Sequence, residues 1–281
     1  MSQPTIVVTG ANTGIGYELA LGAAKRGAQV AMVCRDREKG EAAKLRIEKA
    51  APRATVALHL ADLAKQREVR RLAGELDARY PRIDVLVNNA GLVARERRLT
   101  EDDVETSFAV NHLAPFLLTT LLVDKLVASA PARVIVVASQ VEARGRIHFD
   151  DLQLVSGFDP LEAYFQSKLA NVMFTYELAR RLEGKGVTVN CAHPGVLATN
   201  LLCDYMGRPR ALSAAHRLTH PGPAQGAKGL LRLAFAPELA TTTGAYFHEG
   251  REAKSSAASQ DREAQRRLWE ASERLVAQSE G

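Results

Sequence analysis

An apolar run from Thr5 to Thr9 ends directly on Gly10-Ala11-Asn12-Thr13-Gly14-Ile15-Gly16, and a helical pattern is expected from near Tyr17. A strand that turns through a glycine cluster into a helix leaves the chain little latitude. The glycines let the backbone approach a ligand closely, and the helix presents unpaired N–H groups and the positive end of its dipole to the same point. After the first strand of a βα unit this reads as a pyrophosphate cradle with Gly10, Asn12, Thr13, Gly14, Ile15 and Gly16 as its contacts; an empty strand-to-helix turn is the plainer alternative.

The rest of the chain repeats the strand-then-helix rhythm. Short β-rich runs lie at Thr5 to Thr9, Gln29 to Val33, Thr55 to Leu60, Val85 to Asn88, Arg133 to Ala138 and Val187 to Ala192, with a last one at Ala245 to His248. Amphipathic stretches separate them at Glu38 to Lys49, Lys65 to Arg79, Val104 to Val127 and Leu161 to Leu182. Continuous apolar strands with helical crossovers predict an α/β fold, a single doubly wound parallel sheet with helices on both faces. One domain is expected over residues 1–250, followed by a polar, helical tail over 251–281 that carries Trp269 and Leu275 and either meets a second subunit or docks on its own chain.

Charge and cysteine usage exclude several classes. The net charge of +5 comes from 37 basic residues interspersed with 32 acidic ones, the pattern of solvated helix faces rather than of a nucleic-acid surface. Cys34, Cys191 and Cys203 are odd in number and lack metal spacing, and His112 and His193 have no second ligand nearby, so no metal is expected. No run is long and apolar enough to span a bilayer, the glycine motif leaves no room for a leader before it, and a cytoplasmic location is expected.

Chemistry enters at Tyr164-Phe165-Gln166-Ser167-Lys168. Tyrosine and lysine four apart share one helix face, and an ammonium beside a phenol favours the phenolate, suiting Tyr164 to give and take a proton. Alone, the spacing is an ordinary helix face. Ser139 follows the fifth strand at the edge where such sheets bind ligands, and its hydroxyl can hold a reacting oxygen or merely cap a helix. At the end of the second strand, Cys34 stands where an acidic residue would hold a ribose 2′-hydroxyl, and Arg35 follows it. A guanidinium there suits a 2′-phosphate, with Lys39 assisting and Asp36 beside it, so NADP(H) is expected in preference to NAD(H); pairing of Arg35 with Asp36 or solvent is the alternative.

The glycine spacing is TGxxxGxG, and with Asn88-Asn89-Ala90-Gly91 and Y-x-x-x-K in this order the chain resembles the short-chain dehydrogenase/reductase family over roughly Thr5 to Thr199. The resemblance implies that Asp62 and Leu63 contact adenine, that Asn89, Ala90 and Gly91 border it, and that Asn111 joins Ser139, Tyr164 and Lys168 as a catalytic residue linked to Lys168 by a water relay. It further implies that Lys168 grips the nicotinamide ribose and that Pro194, Gly195, Val196 and Thr199 lie on the nicotinamide side. Gly145 to Leu152, with Cys34-Arg35-Asp36 and Ser167 to Asn171, is similar to the retinol dehydrogenase-like branch. Hydride transfer between NADP(H) and a small-molecule carbonyl or alcohol of lipophilic type is the expected activity, with a carbonyl reductase or alcohol dehydrogenase as its form and a homodimer or homotetramer as the assembly. The substrate loop is expected between about Asn200 and Pro223. A cofactor-sensing interaction protein, and an epimerase or dehydratase using the same Tyr/Lys pair, are the alternatives on this fold.

Overall fold

The computed structural model describes residues 3–195 and 221–277. Among these, eight strands form one sheet in the order β3-β2-β1-β4-β5-β6-β7-β8. They are β1 (Thr5–Thr9), β2 (Gln29–Cys34), β3 (Val56–Leu60), β4 (Val85–Asn88), β5 (Ala132–Val137), β6 (Val187–His193), β7 (Ala245–His248) and β8 (Arg251–Ala253). β1 to β7 are parallel, whereas β8 returns antiparallel on β7 and extends the expected last strand into a hairpin. Strand order reverses direction between β1 and β4, so a crevice opens at their carboxyl ends, the place where ligands bind in open α/β sheets.

Helices cover both faces, as the strand pattern predicts. On one side lie α1 (Gly14–Lys25), α2 (Arg37–Ala50) and α8 (Pro223–Phe235), which pack Leu19, Ile47 and Leu230 onto Ile6, Val8 and Met32. On the other lie α3 (Gln66–Arg79), α5 (Ala114–Leu121), α7 (Pro160–Arg181) and α9 (Arg262–Ala277). Period-2 alternation along each strand sends successive side chains to opposite layers, which is why these strands read as unbroken apolar runs.

Two expectations need correction. The first helix begins at Gly14, not near Tyr17, because the glycine turn itself supplies the first helical residues. The stretch from Val104 to Val127 is not one helix: α4 (Thr106–Phe108) passes into a π-turn (Ala109–Leu113), then α5, then α6 (Val123–Ala128). The C-terminal helix docks on its own chain, one of the two arrangements expected of it. Trp269 is 7% exposed, stacks on Phe174 at 5.9 Å and meets Phe116 edge-on at 4.9 Å, while Arg181 covers its outer face at 4.0 Å. Leu268, Trp269, Ser272 and Val276 recur at three- and four-residue intervals, a narrow apolar stripe that docks α9 on α7 among surrounding Glu and Arg.

Candidate active site

The turn from β1 into α1 is packed to a closeness that only glycine permits. Gly10 (φ 67°) and Gly14 (φ 58°) take left-handed backbone, and a Cβ on Gly16 would overlap the Gly10 carbonyl oxygen and lie 2.5 Å from Asn89 Nδ2. Thr9 joins this turn to the one after β4: its Oγ1 accepts the N–H of Asn89 (2.9 Å) and of Ala90 (3.0 Å), and Asn89 Nδ2 donates to the Thr9 carbonyl at 2.8 Å. Thr13, at the N-cap of α1, makes no side-chain cap bond, and no acidic residue occupies the first turn. The helix end therefore faces the crevice with its N–H groups and dipole uncompensated by a carboxylate.

Across the crevice, α7 starts at Pro160 with Asp159 as its cap, accepting N–H bonds from Leu161 and Glu162 at 2.8 Å each. This register turns Tyr164 and Lys168 inward together; both are buried, with Lys168 Nζ 5.7 Å from the centre of the Tyr164 ring. Lys168 Nζ donates to the Val137 carbonyl at the end of β5, at 2.9 Å, and burial draws its pKa from 10.5 to about 8. No carboxylate among the described residues lies within ion-pair distance of it. Ser139, two residues beyond Val137 and half-buried, caps the 3₁₀ turn Gln140–Arg144, its Oγ accepting from Val141 N at 3.5 Å.

Asn111 sits fully buried in the π-turn. Its Oδ1 accepts Leu92 N–H at 2.8 Å, and its Nδ2 donates to Leu92 O and to Ser167 Oγ, both at 2.9 Å. Ser167 Oγ donates in turn to the Tyr164 carbonyl at 2.8 Å, so Asn111 braces the helix turn that carries the tyrosine. A Cβ on Gly91 would be 3.3 Å from Asn111 Oδ1 and 3.4 Å from Lys168 Nζ, which puts both groups around the same glycine. π-turns of this kind recur where a helix is widened to present a functional side chain.

The end of the crevice beside β2 is more open. Arg35 is 73% exposed and lies 4.0 Å from Asp62 Oδ1, not on Asp36. Asp36 instead caps α2 through Lys39 N (3.0 Å) and holds Lys39 Nζ at 2.7 Å, contacts that lower its carboxyl pKa, the side-chain bond first. Cys34 is buried against Gly40, and desolvation pushes its thiol up to about 11, a packing role and not a reactive one. Asp62 accepts from Ala64 N at 3.2 Å and Leu63 packs against the core.

Pro194 and Gly195 leave the end of β6, and Gly195 (φ 98°) approaches Glu249 so closely that a Cβ would be 2.7 Å from its Oε1. His193 stands 4.9 Å from the His248 ring, and burial, with His248 and Lys168 adding, lowers its pKa to about 4. His112 is buried beside Phe108, with Nε2 on Ser272 Oγ at 2.9 Å and its pKa drawn to about 3 by burial. Val196, Thr199, Cys203 and nearly all of the expected substrate loop lie outside the described residues.

Comparison with known proteins decides what carries this arrangement. The short chain dehydrogenase family pattern matches residues 4–206. Retinol dehydrogenase 13 of Homo sapiens is 42% identical, over 97% of this chain and 84% of its own length. Retinol dehydrogenase 14 of Mus musculus is 40% identical, over 98% and 86%. The chain belongs to the short-chain dehydrogenase/reductase family. Within that family it falls in the retinol dehydrogenase-like branch. An uncharacterized protein from Mycobacterium Paratuberculosis shares 35% identity and a TM-score of 0.80 over 98% of this chain and 94% of its own. A short chain dehydrogenase from Escherichia coli CFT073 complexed with NADPH shares 25% identity and a TM-score of 0.72, over 89% and 97%.

As a short-chain dehydrogenase/reductase the protein is an oxidoreductase that uses a nicotinamide cofactor, and its residues fit one. Gly10 and Gly16 let the turn close against Asn89 and Ala90 where a Cβ would collide, and the uncapped α1 end suits a pyrophosphate. Among the described residues no helix is long and apolar enough to cross a membrane. In the sequence Thr9 and Ser167 stand only as neighbours of motifs. Their hydroxyls tie the two halves of the crevice and the helix turn that carries Tyr164, roles signalled only by small polar residues falling inside otherwise apolar, close-packed positions.

Proposed function

We propose that this protein is an NADP(H)-dependent oxidoreductase acting on a lipophilic carbonyl or alcohol, with Tyr164 as general acid and base. The observation that carries the reading is Lys168, a buried ammonium beside the Tyr164 ring with no carboxylate among the described residues to neutralise it. A positive charge there stabilises phenolate over phenol and brings the tyrosine toward its working pH. When bound, the nicotinamide supplies or accepts the hydride. Tyr164 moves the proton at the substrate oxygen, Ser139 donates to that oxygen as charge develops, and Lys168 holds the nicotinamide ribose as well as tuning the phenol. Asn111 holds the π-turn and the Tyr164 turn in register through Leu92 and Ser167.

Gly10, Asn12, Thr13, Gly14, Ile15 and Gly16 hold the pyrophosphate. Asp62, Leu63, Asn89, Ala90 and Gly91 flank adenine, and Pro194, Gly195, Val196 and Thr199 border the nicotinamide. Arg35 meets the 2′-phosphate, supported by its exposure and by the looseness of its 4.0 Å pairing with Asp62, with Asp36 fixing the start of α2 and holding Lys39 nearby. The names of the retinol dehydrogenase relatives support a lipophilic alcohol or aldehyde, and the NADPH complex of the structural neighbour supports the phosphorylated cofactor. The test is consumption of NADPH, with NADH in parallel, against retinal, long-chain aldehydes and aromatic ketones. Tyr164→Phe is expected to lose nearly all turnover while keeping NADPH affinity; undiminished turnover refutes the role given to the tyrosine.

A further inference from the structure

The turn that carries Ser139 is fastened to the C-terminal segment by a buried carboxylate. Glu142, 2% exposed, lies inside Gln140–Arg144. Its backbone N–H donates to the Ser139 carbonyl at 3.1 Å, and its own carbonyl accepts from Gly145 N at 2.9 Å. Its side chain reaches the other way: Oε1 accepts the Ser256 N–H at 2.8 Å and Oε2 the Ser256 hydroxyl at 2.6 Å. No Lys, Arg or His among the described residues pairs with it. An acid buried without a cation is a costly way to fill space, so packing alone is a weak reason for its presence.

The segment it grips is braced in its turn. Ser259 Oγ donates to Ser256 O at 2.7 Å, and Ser255 Oγ meets the hydroxyl of Tyr176, on α7, at 2.6 Å. At the end of the 3₁₀ turn, Gly145 lies so near α7 that a Cβ would be 2.6 Å from the Phe165 carbonyl. The Ser139 turn is thus gripped between the helix that carries Tyr164 and residues 255–259.

We infer that Glu142 is a positioning residue, which sets Ser139 against Tyr164 by tying their connecting turn to Ser256. The inference rests on the proton-transfer roles proposed for those two residues. Glu142→Gln keeps both contacts, since its amide oxygen accepts the Ser256 N–H and its amide nitrogen donates to the hydroxyl; it separates position from charge. Glu142→Ala removes both, and Ser256→Ala removes one.

The experiment reads NADPH-dependent carbonyl turnover together with hydrogen exchange at the amides of residues 140–145. Glu142→Ala is expected to lower kcat about 10- to 100-fold, and Ser256→Ala less, because a small displacement of a reacting group is enough to do so. NADPH affinity and carbonyl KM stay within about twofold, and Glu142→Gln keeps kcat within about threefold. Exchange at 140–145 rises in Glu142→Ala and stays low in Glu142→Gln. Unchanged kcat and exchange in Glu142→Ala overturn the inference, as does parallel loss of NADPH binding, or a glutamine variant as impaired as the alanine one. A wild type inactive on every carbonyl and alcohol refutes the proposed function instead, while the exchange pattern still decides whether Glu142 holds the turn.

Discussion

Replacing Lys168 with methionine should make the protein more stable while abolishing its turnover. Burial draws the Lys168 pKa from 10.5 to about 8, which at roughly 1.36 kcal/mol per pKa unit is a penalty of about 3 kcal/mol on the charged form. Methionine has a similar length and carries no charge to desolvate. It also leaves the Val137 carbonyl, the partner of Nζ at 2.9 Å, without that donor, at a cost of about 1–2 kcal/mol. The net expectation at neutral pH is a gain of about 1–2 kcal/mol, or a Tm higher by about 2–4 °C for a chain of this size. The gain must depend on pH in one direction. Below about pH 8 lysine is protonated in both folded and unfolded chains, and the burial penalty is fully present. Between about 8 and 10.5 the unfolded chain binds more protons than the folded one, so the wild type recovers stability as pH rises, and the advantage of Lys168→Met shrinks by about 1 kcal/mol by pH 9. Chemical unfolding of the ligand-free proteins at neutral pH and near pH 9 measures both numbers. A variant less stable than the wild type at neutral pH, by a margin indifferent to pH, refutes the claim that Lys168 is held in place against its own desolvation.

Arg35→Ala should weaken NADPH about 10- to 100-fold in a fluorescence titration and leave NADH nearly unchanged, since charge-assisted contacts to a phosphate are lost only with the phosphorylated cofactor; equal losses for both would sink its assignment to the 2′-phosphate. Trp269→Ala should cost about 3–5 kcal/mol in urea unfolding, because a large ring packed between Phe116, Phe174 and Arg181 leaves a cavity behind. A cost below about 1 kcal/mol would mean that α9 is a dispensable appendage.

Local rules carried much of the reading. The pairing of Tyr164 with Lys168 follows from helical spacing alone, and the strand-to-glycine-to-helix sequence from Thr5 to Gly16 announces its own turn. What escaped depends on partners far along the chain. Nothing near Asn111 announces a π-turn, because the widened backbone is stabilised by what the asparagine meets at Leu92 and Ser167. Glu142 and Ser256, 114 positions apart, each look like surface residues until the fold joins them and buries the glutamate. For the last helix the sequence leaves two arrangements open, because Glu and Arg surround a stripe as narrow as Leu268, Trp269 and Val276. Its start at Arg262, like that of α1 at Gly14, follows no strong apolar onset that a linear reading would detect.

The small hairpin made by β7 and β8 has a consequence for the behaviour of the protein in a crowded solution. A parallel sheet that stopped at β7 would offer a row of unsatisfied peptide groups to any extended chain that met it. β8 takes up those groups from within the same molecule, and then presents only Arg251, Glu252 and Ala253, all exposed and two of them charged, as the new boundary. So short and charged a margin is a poor template for a foreign strand, and on this side the protein is guarded against the ribbon-like self-association to which open β-structure is prone.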